Sequence, residues 1–131
     1  MIVKGRVISR GYAKGSALVT MDPISFLGSV DPKTGIVIEK GHSLEGKSVA
    51  GRVLVFPRGK GSTVGSYVIL QLKKNGVAPL AIINLEAETI IAVGAIISKI
   101  PMLDMLEKDM YSFLKTGMSV EVDAEKGEIR C

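Results

Sequence analysis

Arg58-Gly59-Lys60-Gly61-Ser62 is the stretch of this chain best equipped for chemistry. Gly59 and Gly61 let the backbone approach a ligand closely. Arg58 and Lys60 set positive charge beside it. The loop lacks the spacing of a Walker A motif and of a dinucleotide fingerprint. A serine hydroxyl is a poor base at neutral pH. It becomes one where cations and N–H donors stabilise the alkoxide. Ser62 would find both if this loop opens a helix, because the first helical turn has unpaired N–H groups and the positive end of the dipole. A plainer reading gives Ser62 only a capping role, worth about 1 kcal/mol.

The flanking residues supply the elements such a loop needs. Residues 53–56, Val-Leu-Val-Phe, form a branched apolar run that reads as a buried strand, and Pro57 ends it. From Ser62 onward, Val64, Tyr67, Val68, Gln71 and Leu72 recur at helical spacing, and Asn75-Gly76 supplies the stop. The unit is strand, glycine loop, helix.

The rest of the chain reads as short strands around two helices. Residues 2–9 and 16–20 are expected to be strands joined by a turn at 11–15. Arg10, Tyr12 and Lys14 lie on or beside that turn, either as a solvated hairpin end or as a second basic edge near residues 58–62. The loop 22–35 carries Phe26 and Leu27, which must pack over the core or line a cleft against another chain. Gly28 and Ser29 would permit backbone contact with a ligand. Residues 36–39 read as a short strand, and His42 as a surface residue in a polar turn. With no second His, it has no partner for a metal site.

Residues 79–83 read as a strand buried on both faces. Residues 89–98 read as a short helix packing closely through Gly94, followed by a strand at 100–103. Glu86 and Glu88 could form an acid/base pair, but negative charge at that helix start is favourable on its own account. Residues 104–115 are helical or irregular, and 117–123 and 128–130 form a final hairpin. Strand–helix–strand connections argue for parallel neighbours and the hairpins for an antiparallel part. The fold class is α/β.

At 131 residues, 1–131 is expected to be a single domain. The net charge of +4 fits an anionic small substrate or an acidic partner. Nucleic acid fits poorly, because the cations are scattered and only three Tyr and three Phe are available to stack. Cys131 is the only cysteine, so an internal disulfide and a thiolate metal site are both excluded. A cytoplasmic setting follows, with no signal-peptide pattern, and the apolar run 90–97 is too short to span a bilayer.

The run 46–66, Gly-Lys-Ser-Val-Ala-Gly-Arg-Val-Leu-Val-Phe-Pro-Arg-Gly-Lys-Gly-Ser-Thr-Val-Gly-Ser, resembles the small, swivelling subunit of the aconitase X family. The likeness extends to residues 23–28, 30–35, 92–98 and 100–101. The family pattern reads Phe-Leu-Gly-Gly where this chain has Phe26-Leu27-Gly28-Ser29. The resemblance implies a swivelling β/β/α domain with mixed parallel and antiparallel strands. It also implies a hydro-lyase active only with a large subunit, which would carry a [4Fe-4S] cluster that takes up the leaving hydroxyl. Ser62 matches the proton-abstracting serine. Arg58, Gly59, Lys60 and Gly61 are the candidate substrate contacts, with no metal ligand on this chain.

Within the family, the resemblance points to dehydration of (R)-5-phosphomevalonate to trans-anhydromevalonate 5-phosphate in the modified mevalonate route to isoprenoids. A hydroxyproline dehydratase is the alternative. The tail from Ala81 to Gly127 also looks like the mobile carrier domain of phosphoenolpyruvate-using enzymes. That role needs a phosphate-accepting His after Ile83, where this chain has Glu86, Glu88 and Thr89. A non-catalytic anion-binding module is the remaining reading.

Overall fold

The computed structural model describes residues 1–61 and 63–131. Its strands are β1 (Ile2–Lys4), β2 (Arg6–Ser9), β3 (Tyr12–Val19), β4 (Val53–Val55), β5 (Ala81–Ile83), β6 (Met102–Asp104), β7 (Ser119–Asp123) and β8 (Glu128–Arg130). Two helices, α1 (Gly65–Lys74) and α2 (Thr89–Ile97), follow β4 and β5, and a single 3-10 turn spans Met110–Ser112. The strands form one sheet in the order β1-β8-β7-β3-β4-β5-β6-β2. Pairs β3–β4, β4–β5 and β5–β6 are parallel, and the others are antiparallel. This is the mixed α/β architecture expected.

The two ends of that order, β1 and β2, are consecutive in the chain. Only Gly5 separates them, so the sheet's edges meet at one residue. A Cβ at Gly5 would stand 2.5 Å from Leu106 Cδ2 and 3.0 Å from the Asp104 carbonyl oxygen. The tight corner therefore needs glycine. Residues 2–9 are thus two strands on opposite margins rather than one. β2 pairs with β6, not with β3, so the hairpin expected between 2–9 and 16–20 is absent among the described residues.

The predicted turn at 11–15 is also corrected. Residues 12–15 belong to β3 and pair with β7, with Ala13 opposite Val122. Gly11, at φ 144°, makes the corner alone. The glycine-rich sequence of this stretch imitates a turn, but β7 supplies the ladder that keeps it extended. Residues 36–39 make only isolated bridges, Val37 to Val30 and Ile36 to Ser48.

The central parallel strands are buried on both faces. Side chains alternate across them. Leu54, Ile82 and Met102 join Leu18, Phe56, Ile69 and Leu72 under the helices. Val53, Val55, Ala81, Ile83 and Leu103 join Val120, Val122 and Ile129 on the other side. Two-sided burial is why these runs read as continuously apolar.

α1 and α2 cross at Gly94, where an added Cβ would meet Ile69 Cδ1 at 2.7 Å and Ser66 Cα at 3.1 Å. The Glu88 side chain caps α2 by accepting from Ile91 N–H at 2.8 Å. Asn75 closes α1, and Gly76 follows at φ 71°. These features agree with the sequence reading.

Candidate functional site

Parallel strands point one set of chain ends to a common edge, where ligands of α/β sheets usually bind. Here that edge gathers Thr20 after β3, residues 56–61 after β4, Asn84 after β5 and Met105 after β6. Residues 57–61 form the glycine loop. Pro57 and Gly59 are buried, whereas Arg58, Lys60 and Gly61 face solvent.

The loop is held as an added backbone strand. Ile24 N–H donates to the Arg58 carbonyl at 3.3 Å, and Lys60 N–H donates to the Ile24 carbonyl at 3.3 Å. Gly59 sits against the start of α2. A Cβ there would lie 2.5 Å from Ile91 Cγ1 and 2.7 Å from Glu88 Oε1. Close packing alone accounts for this glycine. Gly61, at φ 87°, uses the left-handed region instead.

α1 begins later than the sequence pattern suggests. Its N-cap is Val64, and no acidic residue lies in the first turn. Ser62 itself lies outside the described residues. Gly65 opens the helix against the second loop, since a Cβ there would lie 2.8 Å from the Ser25 carbonyl oxygen.

That second loop, residues 22–30, walls the site. Ile24 and Phe26 are fully buried, while Leu27 points outward. Phe26 is one of the few non-glycine residues at positive φ, at 66°. Ser25 Oγ donates to the Leu27 carbonyl at 2.9 Å and lies 2.7 Å from Ser29 Oγ. Ser29 is buried and donates to the Glu39 carboxylate. Glu39 also receives Lys60 Nζ at 3.1 Å. The Ser29 hydroxyl, then Lys60, lowers the Glu39 pKa below its usual value, against an opposing effect of burial.

Sequence reasoning missed this chain of contacts. Glu39 read only as the end of a short strand, and its partners lie ten and twenty-one residues away. No local pattern reports such pairings. Lys60, expected as a substrate cation, has its charge met by Glu39. The Arg58 side chain is exposed and makes no hydrogen bond or ion pair among the described residues. Its charge reaches Tyr111, whose hydroxyl donates to the Thr20 carbonyl at 2.8 Å. Burial above all raises the Tyr111 pKa to about 12, helped by Asp109 and opposed by Arg58.

His42 is buried rather than a surface residue. Nδ1 accepts from Leu44 N–H at 3.0 Å and Nε2 lies 3.2 Å from the Pro23 carbonyl oxygen. Both nitrogens are used, so it is a structural pin between residues 22–24 and 41–46. Asp22 stands beside it, its pKa lowered chiefly by hydrogen bonds from Ser43, first the backbone N–H and then the hydroxyl.

Arg10 and Tyr12 do not form a second basic edge by the loop. They line a groove of about 580 Å³ with Lys73, Lys99 and Pro101, at the opposite ends of the parallel strands. Arg10 pairs there with Glu125 at 2.9 Å. Lys14 lies opposite Glu121 in the β3–β7 ladder. Glu86 is exposed and Glu88 is engaged as a cap, so they do not form an acid/base pair.

No group of three or more His, Cys, Asp or Glu among the described residues could hold a metal ion. Cys131 lines a groove with Met1, Ile2 and Lys14, on a part of the sheet away from the glycine loop. A thiolate-bound cluster does not fit this chain. No helix among the described residues is long and apolar enough to cross a membrane.

The model of the aconitase X swivel domain matches residues 2–131. The phosphomevalonate dehydratase small subunit of Methanosarcina acetivorans is 68% identical over 127 residues, covering 97% of this chain and 88% of the relative. The protein of the same name from Thermococcus kodakarensis is 60% identical over 129 residues, covering 98% and 95%. A crystal structure of Thermococcus kodakaraensis aconitase X in its holo-form superposes with a TM-score of 0.94 at 58% identity, covering 99% of this chain and 97% of that one. With its glycine loop set against a walled edge of parallel strands, this chain belongs to the aconitase X swivel family.

Proposed function

We propose that this chain is the small, swivelling subunit of a two-subunit dehydratase. Its reaction takes (R)-5-phosphomevalonate to trans-anhydromevalonate 5-phosphate and water, in the modified mevalonate route to isoprenoids. The observation that carries this reading is likeness over almost the whole chain to proteins named phosphomevalonate dehydratase small subunit. The 131 residues act as one swivelling unit in the cytoplasm.

Dehydration breaks one C–H and one C–O bond and forms a C=C bond. The proton passes to the Ser62 oxygen, and the hydroxyl departs on the face contributed by the large subunit. A [4Fe-4S] cluster on that subunit supplies the Lewis acidity a poor leaving group needs. Arg58 faces the carboxylate or phosphate of the substrate. Gly61 keeps the backbone bare beside Ser62, and Gly59 with Lys60 hold the loop in place. Stabilising the serine alkoxide falls to Arg58 and loop N–H groups.

The test is anaerobic co-purification with a large subunit, followed by assay with (R)-5-phosphomevalonate and with hydroxyproline. A stable complex that dehydrates phosphomevalonate is the expected result. A chain that recruits no partner, or a complex that turns over hydroxyproline instead, overturns the reading.

A further inference from the structure

The glycine loop holds two cations with different surroundings. Lys60 Nζ rests 3.1 Å from Glu39 Oε2, while Arg58 has no such partner among the described residues. Glu39 also takes the Ser29 hydroxyl on its other oxygen. One carboxylate therefore binds both walls of the candidate site. On one side it holds the loop 57–61, and on the other the turn 25–29.

We propose that Glu39 is a positioning residue that acts through Lys60, so that Lys60 locks the loop and Arg58 alone serves as its cation for the anionic substrate. This rests on the dehydratase reading and deepens it. Three observations carry the division of labour. The Glu39 carboxylate cancels the Lys60 charge where a substrate oxygen would otherwise compete. Ser29 is buried, so its hydroxyl fixes Glu39 from the protein side. The turn it anchors holds Phe26 at φ 66°, a conformation that persists only where the surroundings impose it.

The ion pair is half exposed, with side-chain exposures of 46% for Lys60 and 28% for Glu39. Such a pair adds little to global stability. Its effect falls on the position of the loop, and a loop misplaced by about 1 Å can slow a reaction about 100-fold.

The experiment is a double-mutant cycle in the assembled two-subunit enzyme. Glu39→Gln and Lys60→Met should each lower kcat about tenfold with KM changed less than about twofold. The double variant should be no slower than the worse single variant, because both remove one interaction. Arg58→Met should raise KM at least about tenfold in addition to lowering kcat, the KM effect being what sets it apart from Lys60→Met.

Amide chemical shifts of the isolated full-length chain give a readout independent of turnover. Glu39→Gln should move residues 24–30 and 57–61 and leave β7 and β8 unmoved. Additive losses, a KM effect at Lys60 equal to that at Arg58, or unmoved loop amides would each overturn the proposal. An assembled wild-type enzyme inert to phosphomevalonate, with the loop amides moving as stated, would overturn the substrate reading and retain the Glu39 clasp.

Discussion

The ring of Phe26 meets the ring of Phe56 edge to face, with centroids 6.0 Å apart and planes at 63°. This contact joins the turn that walls the site to the strand that feeds the glycine loop. Edge-on aromatic pairs add about 0.5–1.5 kcal/mol beyond their burial. Phe26 achieves it with a left-handed backbone, which costs a non-glycine residue about 1–2 kcal/mol.

Those two facts predict an unusual order of variants. Phe26→Ala should lower unfolding free energy by about 3–5 kcal/mol, as expected for removing a buried ring. Phe26→Gly should be no less stable than Phe26→Ala, because glycine relieves the backbone strain that alanine keeps. Urea unfolding at matched m-values checks this. A glycine variant clearly weaker than the alanine variant would remove strain from the account.

Gly94→Ala and Gly59→Ala should separate stability from activity. At Gly94 the new methyl would press on Ile69 and on the backbone of Ser66. Its cost of about 1–3 kcal/mol exceeds the helix-propensity gain of about 1 kcal/mol. Melting temperature should fall while the assembled enzyme keeps its kcat. At Gly59 the methyl meets Ile91 and the capping oxygen of Glu88. Stability should fall by a similar amount, and kcat with it, because this glycine sits in the loop. Thermal melts and turnover on the same preparations decide the matter.

Stability should change at both ends of the pH scale. Glu39, Asp22 and Asp123 all have pKa values held below normal in the folded chain, through Ser29 and Lys60, through Ser43, and through backbone N–H groups of Lys126 and Glu125. Their contribution is complete above the unfolded values of 3.8–4.5 and is lost as pH falls through the lower folded values. Glu39→Gln should flatten part of that acid limb.

Tyr111 behaves oppositely. Its folded value of about 12 lies above the ordinary value of 10.0, so its contribution is full below pH 10.0 and declines as pH rises toward 12. Tyr111→Phe should flatten the alkaline limb. Unfolding midpoints measured from acid to alkaline pH would show either limb unchanged if these assignments are wrong.

Ser62→Ala should abolish dehydration, by at least about 1000-fold in kcat, while the variant chain still binds the large subunit. Ser62→Cys should recover little, since a thiolate is the weaker base. Turnover near the wild-type rate in the complex assembled with the Ser62→Ala chain would assign proton removal elsewhere.

Much of the fold was legible because burial leaves a local trace. Residues 53–56 and 79–83 read as buried strands because the strands within them, Val53–Val55 and Ala81–Ile83, are covered on both faces, although Leu80 is exposed. Glu88 and Gly94 each announced one end or one face of α2. What stayed hidden depends on partners far along the chain. Tyr12 to Gly15 read as a turn, and only the presence of β7 shows why they are a strand. His42 looked solvated because its polar neighbours suggest a surface, while Pro23 and Leu44 bury and satisfy both nitrogens. The glycine loop was found from composition. Its Glu39 clasp was not, because nothing near Glu39 differs from an ordinary surface carboxylate.

The corner at Gly5 has a consequence for how the chain is made. The segments on either side of it pair with residues 102–104 and 128–130, which leave the ribosome long afterwards. β1 and β2 must wait, unpaired, while the strands between them emerge. Closure of the sheet is then a late, long-range event, slow by the general rule that distant contacts fold slowly. During that wait β1 and β2 are open edges of the kind chaperones shield. A substitution at Gly5 would therefore be felt first in the yield of folded protein during synthesis, before any loss in the finished enzyme.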